Sequence, residues 1–360
     1  MVRNRTLPAI AKTLQRNRTM LNAVSAATGL LRHIAIKSHH SAMKQREKEL
    51  REKFPSFLSV HCQVFKERGS GSTPTIVIAG FVPDATEVIE FQRKLLKSYG
   101  DIYYLNYPRN GFATEVFLAQ LADLVKEINC RGEKPVLFGI SFGCGLLYRF
   151  MRGNGVSGLK IGGIVMISPV LCTADLVRPE SDRKGGIRII ESNLRRILKS
   201  DGGHVEDVER QVERARRCFK SLFDTGAENR HLTRRHLAIR GKIMDVIGKT
   251  SCQGGYERVL ALKELPVPDG TMPFFVGPLL VLLAEAEESM LVPGSPTLAL
   301  LRNRETLRRF FPNGSVATVT SNDPADPVAH ASLIFHHHRY NPLLESWYDI
   351  VAESGLVAAI

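Results

Sequence analysis

Short runs made wholly of apolar residues constrain this chain more than any other feature. Thr75–Ala79 (Thr-Ile-Val-Ile-Ala), Pro135–Ile140 and Ile161–Ile167 are bounded by polar or turn-forming residues. They are too short for ordinary helices and lack the polar alternation of a half-exposed strand. Runs of this kind suit strands covered on both faces, the usual state of a parallel sheet. Between them the period changes to that of a helix, over Ala85–Ser98 and over Phe112–Asn129, where Val116, Leu118, Leu121 and Leu124 share one face. Asp101–Leu105 reads as a further strand. So does Phe57–Phe65, which the turn formers Gly69-Ser-Gly-Ser-Thr-Pro74 follow. Strand and helix alternating at this spacing predict the doubly wound α/β class, a mostly parallel sheet with helices on both faces. No internal repeat is visible.

The rhythm breaks after Pro169. Residues 172–272 lack short apolar strands, are rich in Arg and Glu, and carry glycine pairs at 185–186, 202–203 and 254–255. They read as a helical insertion. Strand and helix then return, with Pro278–Ala284 and Ser315–Ser321 as strands and Pro296–Phe311 and Pro342–Ser354 as helices. The expected organisation is an N-terminal arm over 1–54, a first part of the core over 55–171, the insertion over 172–272, and a second part of the core over 273–360.

Charge separates the arm from the rest. The net charge is +13, from 49 basic and 36 acidic residues. Residues 1–46 hold nine Lys or Arg and no Asp or Glu, which leaves 40 basic against 36 acidic in the remainder. The high isoelectric point therefore belongs mainly to the arm and gives no support to nucleic-acid binding. Leu7, Ile10, Leu14, Leu21, Val24 and Leu31 recur at helical spacing there. Three readings of this basic amphipathic segment stand open: a cap on the core, a peripheral contact with an anionic membrane surface, or a targeting peptide. A secretory signal fits less well. The charged tract 42–53 reads as a solvated helix face. No apolar run is long enough for a membrane-spanning helix. The six cysteines include no CxxC pair, which argues against a zinc ribbon and favours a reducing, cytoplasmic or membrane-peripheral setting.

The chemistry concentrates in Val136-Leu-Phe-Gly-Ile-Ser-Phe-Gly-Cys-Gly145. Gly139-x-Ser141-x-Gly143 follows a buried strand and precedes a helix. A serine thrust out on a sharp turn needs small residues two before and two after it, so that strand and helix can approach. The turn also brings the N–H of Phe142 to a helix N-terminus, where it can face a developing oxyanion. Cys144 reads as a small core residue of that helix.

With these residues the chain resembles the α/β-hydrolase family, through about 57–171 and 273–354. The insertion then occupies the place of a lid or cap between the sixth and seventh strands. Ala79-Gly80-Phe81 is similar to the family's His-Gly-Phe, with alanine for histidine, and the resemblance makes the Phe81 N–H the second oxyanion donor. The family order of nucleophile, acid and histidine places the acid after Pro278–Ala284, in Glu285-Ala-Glu287-Glu288. Counting from Ala284 favours Glu287 and counting back from Pro293 favours Glu288, with Asp175 in reserve. The histidine after the last strand is His330, with alanine where the family has glycine. His336-His-His338 is its rival and otherwise a polar surface patch. His204, His231 and His236 look like surface residues of the insertion.

The resemblance implies a cofactor-independent and metal-independent serine hydrolase acting on a small-molecule ester or thioester. An acyltransferase working at a membrane and a non-catalytic binding protein of the same fold are the alternatives.

Overall fold

A computed structural model describes residues 35–54, 56–153, 156–179, 189–199, 205–227 and 232–357. The basic helix expected between Leu7 and Leu31 lies outside the described residues, as do His204 and His231.

Eight strands form one sheet: β1 (Ile36–Ser38), β2 (Gln63–Glu67), β3 (Thr75–Ile78), β4 (Ile102–Asn106), β5 (Val136–Ile140), β6 (Gly163–Ile167), β7 (Leu279–Ala284) and β8 (Gly314–Val319). Their spatial order is β1-β2-β4-β3-β5-β6-β7-β8. β2 runs antiparallel to both of its neighbours, and every other pairing is parallel. The pattern of burial follows the sequence directly. Every residue of β3, β4, β5, β6 and β7 is buried, whereas β2 and β8 mix buried and open positions. Strands of Ile, Val and Leu with no polar alternation sit at the centre because only there are both faces covered.

Helices flank the sheet. Thr114–Cys130 packs against Phe142–Arg152 and against Gln45–Arg51, while His337–Val357 packs against Arg93–Tyr99. The chain between β6 and β7 is helical where described, with Ile189–Lys199, Val205–Ala227, Arg234–Lys249 and Cys252–Leu260.

Several expectations are corrected at the edges. Ile36–Ser38, expected to continue a helical arm, is a strand that pairs with Phe65–Glu67 at the sheet margin. Phe57–Phe65 is not one strand: Phe57–Val60 forms a helical turn and the strand begins at Gln63. The charged tract 42–53 is only partly a solvated face. Its Glu47 is buried, and the backbone N–H groups of Arg46 and Glu47 donate to the Asp123 carboxylate. The helical stretch over Ala85–Ser98 breaks into Ala85–Val88 and Arg93–Tyr99. Pro296–Phe311 is likewise two helices, the second starting where the Asn303 side chain accepts from the Glu305 and Thr306 N–H groups.

The antiparallel strand β2 is fastened by charge. Glu67, 2% exposed, accepts from Arg93 Nε at 2.9 Å and Nη2 at 2.8 Å, from Tyr104 at 2.7 Å, and pairs with Lys97 at 3.1 Å. Burial pushes its carboxyl upward, but the Arg93 and Tyr104 hydrogen bonds outweigh this and hold it below the usual carboxylate range. A group lowered in the folded state stabilises above its ordinary range and loses that contribution as pH falls through the folded value. Glu67→Gln is therefore expected to cost roughly 2–4 kcal/mol at neutral pH. In urea melts the gap from the wild type should narrow as pH falls below the ordinary glutamate range and through the lower value of folded Glu67.

Candidate active site

The parallel strands end in register, and their carboxyl ends deliver the site. Ile78 pairs with Gly139, Ile140 with Ile167 and Ala284 with Val319. Gly80 and Phe81 follow β3, Ser141 follows β5, Ser168 follows β6 and Glu287 follows β7. Crevices outside the carboxyl ends of parallel strands are where open α/β sheets bind ligands.

Ser141 caps the helix Phe142–Arg152 with φ 50° and ψ −116°, a conformation that costs a non-glycine residue energy. Among the described residues only Ser141, Ser168 and Ala331 combine a side chain with positive φ, and all three border this site. The flanking glycines have steric reasons. A Cβ on Gly143 would lie 2.5 Å from the carbonyl oxygens of both Ile78 and Ala79, and one on Gly139 would lie 2.8 Å from Leu147. Helix and strand close on each other at these points because nothing projects between them.

His330 Nε2 lies 2.9 Å from Ser141 Oγ, and its Nδ1 lies 2.6 Å from Glu287 Oε2. The approach of the last two residues is built by the backbone. Pairing between β7 and β8 continues past the strands through a parallel bridge between Ala286 and Ala329, with the Ala286 N–H donating to Val328 O at 3.0 Å. That bridge carries the glutamate of one loop to the histidine of the other.

Glu287 is 3% exposed and also accepts from the Ala284 N–H at 2.7 Å. Burial pushes its carboxyl up. The neighbouring imidazole of His330, its hydrogen bond, the Ser168 hydroxyl and the Ala284 N–H together more than offset this, so Glu287 stays below the usual range. An ionised carboxylate therefore faces Nδ1, which favours a proton there and leaves Nε2 to face the serine. Ser168 joins this group without a sequence signal beyond its place directly after β6. Its hydroxyl also accepts from the Ala331 N–H at 2.9 Å, tying the histidine loop to the glutamate.

The alternatives separate cleanly. Glu288, one residue on in a tight turn, points outward and pairs with Arg302 at 3.1 Å, 55% exposed. Asp175 is wholly buried and has another task. Its carboxylate accepts from the Leu171, Cys172 and Thr297 N–H groups and from the Ser295 and Thr297 hydroxyls, fastening the loop after β6 to the start of Pro296–Arg302. The histidine triplet is only partly a surface patch: His338 is exposed and His337 half-buried, but His336 is 2% exposed, with Nδ1 2.9 Å from the Ser332 hydroxyl and Nε2 3.5 Å from Asp326. His236 is not a surface residue either. It stacks on Phe91 at 4.5 Å and its Nε2 lies 3.3 Å from Ile334 O. Cys144 is fully buried, and burial drives its thiol far above the ordinary range. Among the described residues no three metal-binding side chains come together.

Ser141 and His330 open on a cavity of about 190 Å³. Its floor and sides come from Gly80, Phe81, Ile140 and Ala331, and its far wall from Ile190, Leu194, Ile243 and Ile247 of the helices between β6 and β7. The ring of Phe81 stacks on that of Phe142, with centroids 4.3 Å apart and planes 9° from parallel. Among the described lining residues His330 is the sole titratable side chain.

An eight-stranded sheet of this order, with a strained serine turn after β5, is the α/β-hydrolase fold, and the chain has that fold. No family model and no curated protein sequence matches it. Solved structures do. A membrane phospholipase A described as a bacterial virulence factor is 15% identical, with a TM-score of 0.57 and 96% of each chain covered. An esterase from Thermogutta terrifontis is 16% identical, with a TM-score of 0.55, covering 81% of this chain and 94% of its own. A bromoperoxidase from Bacillus anthracis is 17% identical, with a TM-score of 0.54, covering 80% and 96%. The likeness is one of fold, and this fold carries more than one chemistry.

The close approach at Gly143 gives a direct test. Gly143→Ala would force two carbonyl oxygens aside, so a loss of about 1–3 kcal/mol in unfolding free energy is expected. Ser→Ala changes on exposed loops should show no comparable loss in the same thermal and urea melts.

Proposed function

We propose that the chain is a serine hydrolase that cleaves carboxylic esters or thioesters with an apolar acyl or alcohol part. The observation that carries this reading is the continuous relay from Ser141 Oγ through the His330 ring to the buried carboxylate of Glu287. In this mechanism His330 Nε2 takes the serine proton as Oγ attacks the carbonyl carbon. Glu287 stabilises the imidazolium that forms and holds the ring in the useful tautomer. The N–H groups of Phe81 and Phe142 receive the negative charge on the tetrahedral oxygen. His330 then returns the proton to the leaving alcohol or thiol. Water, activated by the same ring, releases the acid from the acyl-enzyme.

The cavity supports the substrate class. Apart from Ser141 and His330 its lining is almost wholly aliphatic or aromatic, so an apolar chain gains by entering and a charged one would leave its water uncompensated. The presence of esterases and a phospholipase A among the structural neighbours agrees with this choice. The intact relay weighs against the reading as a non-catalytic binding protein. Transfer of the acyl group to an alcohol at a membrane shares the same acyl-enzyme and differs only in what attacks it.

Wild-type protein is expected to hydrolyse p-nitrophenyl butyrate and to react with a fluorophosphonate probe. Ser141→Ala should abolish both, and Glu287→Gln should lower kcat roughly 10²–10⁴-fold through the wrong tautomer. Glu288→Gln should leave both unaltered. Undiminished hydrolysis by Ser141→Ala would overturn the assignment.

A further inference from the structure

A second, smaller cavity of about 60 Å³ adjoins the first, and the two share Phe81, Val82 and Ile247. We infer that this inner chamber is a subsite for the distal end of an acyl chain, with Ile247 and Val82 as the partition that sets the chain length accepted. The inference rests on the proposed hydrolase reading for its substrate.

The chamber is built for an apolar group. Ile197, Val212, Ala215 and Val259 supply its aliphatic wall, and all four belong to the main hydrophobic core. Two arginines also border it, but their terminal nitrogens are engaged elsewhere. Arg258 donates to Phe81 O at 3.3 Å and to Pro108 O at 2.6 Å, while Arg216 donates to Thr250 O and to Glu213. Both Nε atoms are buried without a hydrogen-bond partner among the described residues. They are withdrawn from open space, and the stems are what such side chains offer an apolar neighbour.

The partition is packed differently from the wall behind it. Ile247 belongs to a separate small cluster with Ile239, Ile243 and Ile334, against which Val82 rests. Phe81, by contrast, is stacked on Phe142 and packed on the main core. Ile247 is therefore the member of the partition that can be cut back with least disturbance to the serine turn.

Two variants act on the chamber from opposite sides. Ile247→Ala joins the cavities, and Ala215→Phe fills the inner one. The readout is the ratio of kcat/KM for p-nitrophenyl dodecanoate to that for the butyrate. Ile247→Ala is expected to raise this ratio about tenfold and Ala215→Phe to lower it about tenfold, with circular dichroism and melting curves confirming that both fold. Unchanged ratios in both folded variants overturn the subsite while leaving the hydrolase reading intact. Dodecanoate binding by titration calorimetry reads the chamber without turnover: Ala215→Phe should weaken it about tenfold, and equal affinity overturns the inference even if no ester is cleaved. Because both Nε atoms lack partners, esters of ω-carboxy acids are run beside alkanoic esters of equal length. Preference for the charged series would also overturn it.

Discussion

The site depends on how closely a helix can start against a strand. Between Ile78–Ala79 and the first turn of Phe142–Arg152 there is room for a hydrogen at Gly143 and for nothing larger. That approach fixes the first turn of the helix, and the chain entering it from β5 must turn sharply at Ser141. Positive φ at the serine follows from this. The main-chain bonds around it secure the turn: the Ser141 N–H donates to Ile167 O, and its own carbonyl accepts from Cys144 and Val170. A strained residue persists only where neighbours over-determine its backbone, and here the neighbouring strand, the following helix and the loop after β6 all do so.

Electrostatics completes what the backbone arranges. A carboxylate as enclosed as Glu287 is costly unless it is paired and hydrogen-bonded. Its partners are the His330 ring, the Ala284 N–H and the Ser168 hydroxyl, and together they outweigh the penalty of burial. Ser168 and Ala331, the other two side-chain-bearing residues with positive φ, are hydrogen-bonded to one another. The strain at the site is therefore distributed over three loops that hold each other, and the glutamate and histidine keep their separation because both loops are anchored to the same serine.

What could be read from the sequence is what local rules decide. The buried strands announced themselves because continuous apolar runs have few other uses, and the serine turn because its glycines stand at fixed offsets. His330 followed from chain order. The choice between Glu287 and Glu288 was not legible, since it turns on which of two consecutive side chains a tight turn directs inward, and the Ala286–Ala329 bridge that decides it is a tertiary contact. The same limit hid Ile36–Ser38, a three-residue edge strand that exists only by pairing with β2. His236 and His336 looked like surface residues because their chemistry is polar. Each is buried with a specific oxygen beside it, Ile334 O for one and the Ser332 hydroxyl for the other, and a single sequence contains no mark of that partner. Asp175, held in reserve as the acid, could not be set aside from the sequence, because the five donors to its carboxylate come together only in the fold.

The helices between β6 and β7 do more than wall the cavity. Arg258, on Cys252–Leu260, is 3% exposed, and burial draws its guanidinium down to about 10. Among the described residues no carboxylate pairs with it directly. Its two terminal nitrogens donate to the carbonyls of Phe81 and Pro108, and it lies 5.3 Å from the centre of the Tyr107 ring. Tyr107 in turn donates to Ala79 O at 2.6 Å. An aliphatic side chain would be cheaper in that position by any count of desolvation, but it could not hold a carbonyl. The residue held is Phe81, whose N–H faces the reaction in the proposed mechanism and which lines both cavities. At this point the helical segment and the strand-end loop form one hydrogen-bonded unit, so displacement of Cys252–Leu260 disturbs the oxyanion loop as well as the cavity wall. The helix Arg234–Lys249 is held elsewhere: by the small aliphatic cluster around Ile243, by Arg235 donating to the Glu90 carboxylate and carbonyl, and by His236 stacked on Phe91.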